Sequence, residues 1–167
     1  MLVFVPLAPP AFVALARRQT LGQVTAWRAV FVDPGLGPVD ADEAEWAEHE
    51  AMVRASFDGL AQFGVRLVVA VDLPEAAWPG DEPGVPGRGH LERLDPRRVT
   101  AFFTDDVVDL APVQAAGRAL AGRPGHQAWS EPGAEILADC DLMWFDATEL
   151  GRPLVLATAE GPQTLPQ

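Results

Sequence analysis

The sequence predicts an α/β (or α+β) fold: a single-domain two-layer sandwich with a mixed sheet of five to six strands and about three helices. Three observations carry this. Apolar strand-like runs alternate with segments of helical periodicity along the chain. Only three segments combine helical spacing with end signals, too few to cover both faces of six strands. No segment recurs at the period of roughly 20–50 residues that marks a solenoid. A length of 167 residues suits one domain. That domain is expected over 1–150, with 151–167 a C-terminal tail, partly disordered.

The elements follow in order. Residues 2–7 open with strand-forming Val3, Phe4 and Val5. Pro9 and Pro10 fit the first turn of a helix, where a missing N–H costs nothing. Phe12, Leu15 and Ala16 share one face of it, Arg17 and Arg18 suit its last turn, and Gly22 can end it. Residues 25–32 alternate like a strand, and Pro34, Gly35, Gly37 and Pro38 make a loop. A long helix over 40–63 starts at Asp40 with Glu43 three residues on, and Gly64 closes it. Trp46, Val53, Phe57 and Leu60 recur at helical spacing and predict its apolar stripe.

Residues 65–71 are apolar except for Arg66, which suits a central strand in a parallel or mixed sheet. The Pro- and Gly-rich stretch 74–89 is a loop, 90–94 a weak edge strand and 99–103 a stronger strand. Asp109 can cap a helix over 110–121. Residues 122–133 read as loop, 134–139 as a helical turn, and 142–145 as a buried strand carrying Trp144. Residues 154–158 add an edge strand, and 161–167 are expected to be disordered. The expected core contains Val3, Val5, Trp46, Val53, Phe57, Leu60, Val69, Val71, Phe103 and Trp144.

Composition excludes much chemistry. The chain has no lysine, asparagine or tyrosine, and Ile136 is its only isoleucine, a pattern that marks a GC-rich genome. Without lysine there is no Walker A loop, Schiff base or Ser-x-x-Lys nucleophile. No Gly-x-Gly-x-x-Gly follows a strand, and neither Ser56 nor Ser130 lies in Gly-x-Ser-x-Gly. Cys140 is the only cysteine, so neither an internal disulfide nor a Cys-rich zinc site can form. His49-Glu50 begins like a zinc-protease helix, but position 53 is Val53. The net charge of −12 argues against nucleic acid and anionic membrane surfaces as partners. No apolar run approaches the ~20 residues that span a bilayer. The opening run lacks a basic residue ahead of its apolar stretch and is broken by prolines, unlike a signal peptide. A cytoplasmic location is expected.

What remains is built from carboxylates and three histidines. Asp72 ends one strand, and Asp105 and Asp106 end another. If those strands were parallel neighbours, the three carboxylates would meet at one sheet edge, where Asp72 and Asp105 could hold Mg²⁺ with Asp106 as a base. The competing reading makes them strand ends and helix caps. Asp105, Asp106 and Asp109 spell Asp-Asp-x-x-Asp, but isoprenoid-diphosphate enzymes carry that motif on a helix of a large all-helical fold. Glu50, beside the apolar stripe, and His49 on its other flank form a second catalytic candidate; against it, Glu50 can pair with Arg54 one turn on. His90, His126 and Cys140 have no linking spacing. Trp78 and Trp129, in loops, read as loop anchors or as a binding surface.

The order of the segments resembles a family of small proteins of about this length, of unknown function, from high-GC actinobacteria. The resemblance rests on Val3-Phe4-Val5-Pro6, on the acidic helix at 42–46 leading into Arg54-Ala55-Ser56, and on Arg66-Leu67-Val68-Val69-Ala70-Val71-Asp72. It also rests on Asp105-Asp106 and on Leu142-Met143-Trp144-Phe145 before Glu149-Leu150. The family often has Tyr where this chain has Trp46 and Phe145. The resemblance implies no catalytic residue. The leading expectation is therefore a non-catalytic, acidic, cytoplasmic binding or regulatory module without cofactor, meeting a basic protein partner or itself. The alternative is a metal-dependent enzyme acting on a phosphorylated or anionic small molecule through Asp72, Asp105 and Asp106, with Mg²⁺.

Overall fold

The computed structural model describes residues 1–31, 40–130, 132–137, 139–158 and 161–165. Their elements run β1 (Leu2–Pro6), α1 (Pro9–Ala16), β2 (Val24–Arg28), α2 (Ala41–Phe63), β3 (Leu67–Asp72), β4 (Arg88–Leu91), β5 (Val99–Asp105), α3 (Leu110–Leu120), β6 (Leu142–Asp146), β7 (Leu154–Thr158) and β8 (Gly161–Leu165). Six strands form one sheet in the order β4-β2-β1-β3-β5-β6, and β7 and β8 form a separate hairpin. The expected α/β class stands, and of the two forms offered the chain takes α+β. Strand directions are not mixed: every ladder in the sheet is antiparallel.

β1 is central because its side chains are apolar on both sides. Val3 and Val5 face α1 and the hairpin, with Val69 and Val71 from β3, Phe102 from β5, and Leu154, Leu156 and Leu165. Phe4 points the other way, with Trp27, Val68, Ala70 and Ala101, against Ala51, Met52 and Ala55 of α2. The alternation follows from the two-residue period of a strand. Phe102 is fully buried, edge-on to Phe12 at 5.2 Å and stacked on Phe145 at 4.9 Å. The stretch expected as a tail thus supplies three leucines to this core. Residues 32 and 34–38, expected as strand end and loop, and 166–167 lie outside the described residues.

The ends of α2 are those read from the sequence. The Asp40 carboxylate accepts the Glu43 N–H at 2.7 Å, and Gly64 closes the helix in the left-handed region at φ 71°. Phe57 and Leu60 of the expected stripe are buried, but the face toward the sheet is a different one. Ala47, Ala51, Ala55 and Gly59, four residues apart, form a small-residue stripe toward the sheet. At Gly59 the backbone approaches so closely that a Cβ would sit 3.2 Å from Pro6 Cβ and 3.1 Å from the Val65 carbonyl. Val53 is half-buried, and Trp46 overhangs the sheet rim at 70% exposure, so it leaves the expected core.

Trp144 leaves it too. β6 is the outermost strand beyond β5, and α2 packs over β1, β2 and β3 and stops short of it. Trp144 is 59% exposed and Met143 43%, while Phe103, paired with Trp144, is half-buried. The expected buried strand is therefore an edge strand. A third cluster joins α2, α3 and β7 through Phe57, Leu60, Val113, Ala116, Leu120 and Ala157. Phe102→Ala is expected to cost about 3–5 kcal/mol, because the cavity would open between α1 and two strands. Urea denaturation followed by tryptophan fluorescence measures it, and a loss under ~1 kcal/mol would contradict this packing.

Candidate functional site

The antiparallel pairing of β3 with β5 decides the fate of the aspartates. Leu67 pairs with Thr104 and Val71 with Val99, so the C-terminal end of β3 lies beside the start of β5. Asp72 and Asp105 therefore sit at opposite ends of the sheet, about 20 Å apart at ~3.4 Å per residue. Asp72 is 70% exposed and lies 3.6 Å from the N-terminal amine. Asp106 caps the turn that follows, accepting the Val108 N–H at 3.2 Å. Among the described residues no group of three or more His, Cys, Asp or Glu stands close enough to hold a metal ion. The convergence that the Mg²⁺ reading requires is not there.

Glu50 and His49 also separate. Glu50 binds Arg54 at 2.6 Å across one helical turn. His49 is exposed, its ring 6.3 Å from that of Trp46. Arg54 in turn lies over the ring of Trp129 at 4.9 Å and that of Trp27 at 6.0 Å, so Trp129 anchors its loop on α2.

The dominant polar feature is one that the sequence reading missed. Asp58 of α2 is fully buried. Its Oδ2 accepts Trp27 Nε1 at 3.0 Å and Arg88 Nε at 3.1 Å, and its Oδ1 accepts Gln62 Nε2. Gly125 is packed against the same carboxylate, with no room for a Cβ. Arg88 also pairs with Glu82, which lies 3.5 Å from His90 Nε2. Alternating charges thus run from the core under β2 to the outer edge of β4. The one visible clue was a carboxylate set among Phe57, Gly59 and Leu60 inside an apolar helix face.

Two further carboxylates are committed internally. Asp81 accepts Arg28 Nε at 2.9 Å, Trp78 Nε1 at 2.9 Å and the Gly87 N–H at 2.9 Å, which pins the loop between β3 and β4. Arg28 and these donors outweigh partial burial and hold its carboxyl below the usual range. Asp105 is buried against Arg66, which donates to it from Nε at 2.7 Å and to the Cys140 carbonyl at 3.0 Å. Here burial outweighs the guanidinium and raises the carboxyl from 3.8 to about 6. Burial likewise pushes the Cys140 thiol up, which makes it a poor nucleophile.

Two features face outward. The first is the outer edge of β6, unpaired among the described residues. Met143 and Trp144 are exposed there, and the exposed Asp139 and Asp141 flank it on one side. On the other side Asp146 accepts the Thr148 N–H and hydroxyl at 2.8 and 2.7 Å, which hold its carboxyl low and ionised. The second is an open groove of about 680 Å³ between α1, the end of α2 and the hairpin.

Together these features define a small α+β protein whose strongly buried charges are tied to one another. The chain belongs to the family of unknown function DUF6912, whose model matches residues 1–154. No curated protein and no solved structure matches it. No helix among the described residues is long and apolar enough to cross a membrane.

Gly125→Ala is expected to cost about 3 kcal/mol, at the upper end for overpacking, since the new methyl collides with the Asp58 carboxylate. Thermal unfolding tests it, and an unchanged midpoint would refute the contact. Asp105 gives a pH signature. Its folded value lies above the unfolded 3.8, so its stabilising share is complete below pH ~4 and is lost as pH rises through about 6. The full swing is about 3 kcal/mol at ~1.4 kcal/mol per tenfold. The stability difference between wild type and Asp105→Asn, measured in urea across a ~3-unit span from about pH 4, should change by most of that amount. A flat difference would overturn the assignment.

Proposed function

We propose that the protein is a non-catalytic binding module that takes an extended basic segment of a partner protein along the outer edge of β6. The observation that carries this is that edge itself: hydrogen-bonding groups unpaired among the described residues beside exposed Met143 and Trp144, with Asp139 and Asp141 on one side and Asp146, its carboxyl held low, on the other. A bare apolar edge is a liability that stable proteins normally blunt, so one left open suits a strand that completes it. The flanking charge selects the occupant. Antiparallel self-pairing with Met143 opposite Trp144 would set Asp141 of one copy directly opposite Asp146 of the other, which repels. A segment carrying arginine or lysine gains from the same carboxylates and from the net charge of −12. Internal commitment of Asp58, Asp81 and Asp105 supports a role outside catalysis. A single buried cysteine suits the reducing cytoplasm.

The test uses a synthetic peptide of alternating arginine and valine, with an alternating glutamate and valine peptide as control. The basic peptide should bind saturably, shift the amide signals of 142–146, and weaken with salt. Trp144→Ser, at an exposed position, should retain the fold and lower affinity at least tenfold, or ~1.4 kcal/mol. Equal binding of the acidic peptide, shifts elsewhere, or a stable homodimer through β6 would reject the proposal.

A further inference from the structure

The groove between α1 and the hairpin is lined by apolar groups, among them Pro9, Val13, Phe63 and Leu165, with Thr158, Gln163 and Arg17 as polar members. At about 680 Å³ it falls within the size range of small-molecule sites. It separates from the rest of the surface by charge. The chain carries 24 acidic residues against 12 arginines, yet among the described residues no carboxylate lines this groove. Among the described residues the Arg17 guanidinium has neither an ion pair nor a hydrogen-bond partner, as is true of several surface arginines, and Arg17 is the one that lines the groove. Phe63 is 40% exposed at the groove wall, an aromatic left uncovered where the helix ends.

From this juxtaposition we infer that the groove binds an amphipathic monoanion: an apolar body lying on Val13, Phe63 and Leu165, with its anionic head on Arg17. The guanidinium fork suits a carboxylate head. The apolar wall supplies the affinity and the lone cation the selectivity, since a neutral or cationic head gains nothing from Arg17. The site is independent of the β6 edge, which lies on another part of the sheet.

The experiment titrates the intact chain with decanoate, decanol and decylammonium, read by methyl shifts of Val13, Val65 and Leu165 and by calorimetry. Decanoate should bind saturably and at least tenfold more tightly than decylammonium. Arg17→Gln, at an exposed position, should weaken decanoate about tenfold and leave decanol unchanged. Val13→Trp should fill the groove and abolish both, with circular dichroism confirming the fold of each variant. Absence of saturable decanoate binding, indifference to Arg17→Gln, equal affinity for decylammonium, or shifts confined to other residues would overturn the inference.

Discussion

A carboxylate stripped of water must find donors from the protein or destabilise the fold by several kcal/mol. Asp58 is in that position, and its donors come from three separate segments: Trp27 on β2, Arg88 on β4 and Gln62 on α2 itself. The arrangement fixes how α2 lies across the sheet, because a shift of one turn would leave the charge without partners. It also holds β4, a four-residue edge strand, through a side chain rather than through its short ladder alone. The 3-10 segment at Gly125–Ser130 lies against the same group, and Trp129 at its end covers Arg54. One buried charge thus organises a helix, two strands and a loop.

The small-residue stripe of α2 is the apolar counterpart of that network. Alanines and Gly59 bring the helix axis close to β1 and β3, which shortens the distance Asp58 must reach. The same closeness leaves larger side chains at the rim, so Trp46 projects outward. On the opposite face α1 is short and covers little; the hairpin of β7 and β8 supplies the remaining apolar surface.

Much of this was legible from residue patterns. The helix ends at Asp40 and Gly64 followed from capping chemistry, and Val3, Val5, Val69 and Val71 were placed in the core by their runs. Two errors had physical causes. Ranking helix positions by side-chain size favoured Trp46 over Ala47 and Ala51, although contact distance, not bulk, decides a helix–sheet seam. An apolar run at 142–146 reads alike in a central and an edge strand, and only pairing order distinguishes them. Strand direction was likewise invisible in the 65–71 run, and direction is what disperses Asp72 and Asp105. The Asp58–Arg88 pair joins residues 30 apart, a relation that no local pattern encodes. The groove needs the last strand, which the sequence reading left out of the fold.

That last strand bears on the order in which the protein is made. β1, β2, α2 and β3 emerge first and can pair early, since they are neighbours in the sheet. Yet Val3, Val5, Val69 and Val71 keep one apolar face open until Leu154, Leu156 and Leu165 arrive. A nascent chain carries that apolar surface from the emergence of β3 until the hairpin of β7 and β8 follows. Closure of this core therefore follows the emergence of β7 and β8, long after the strands it covers have formed.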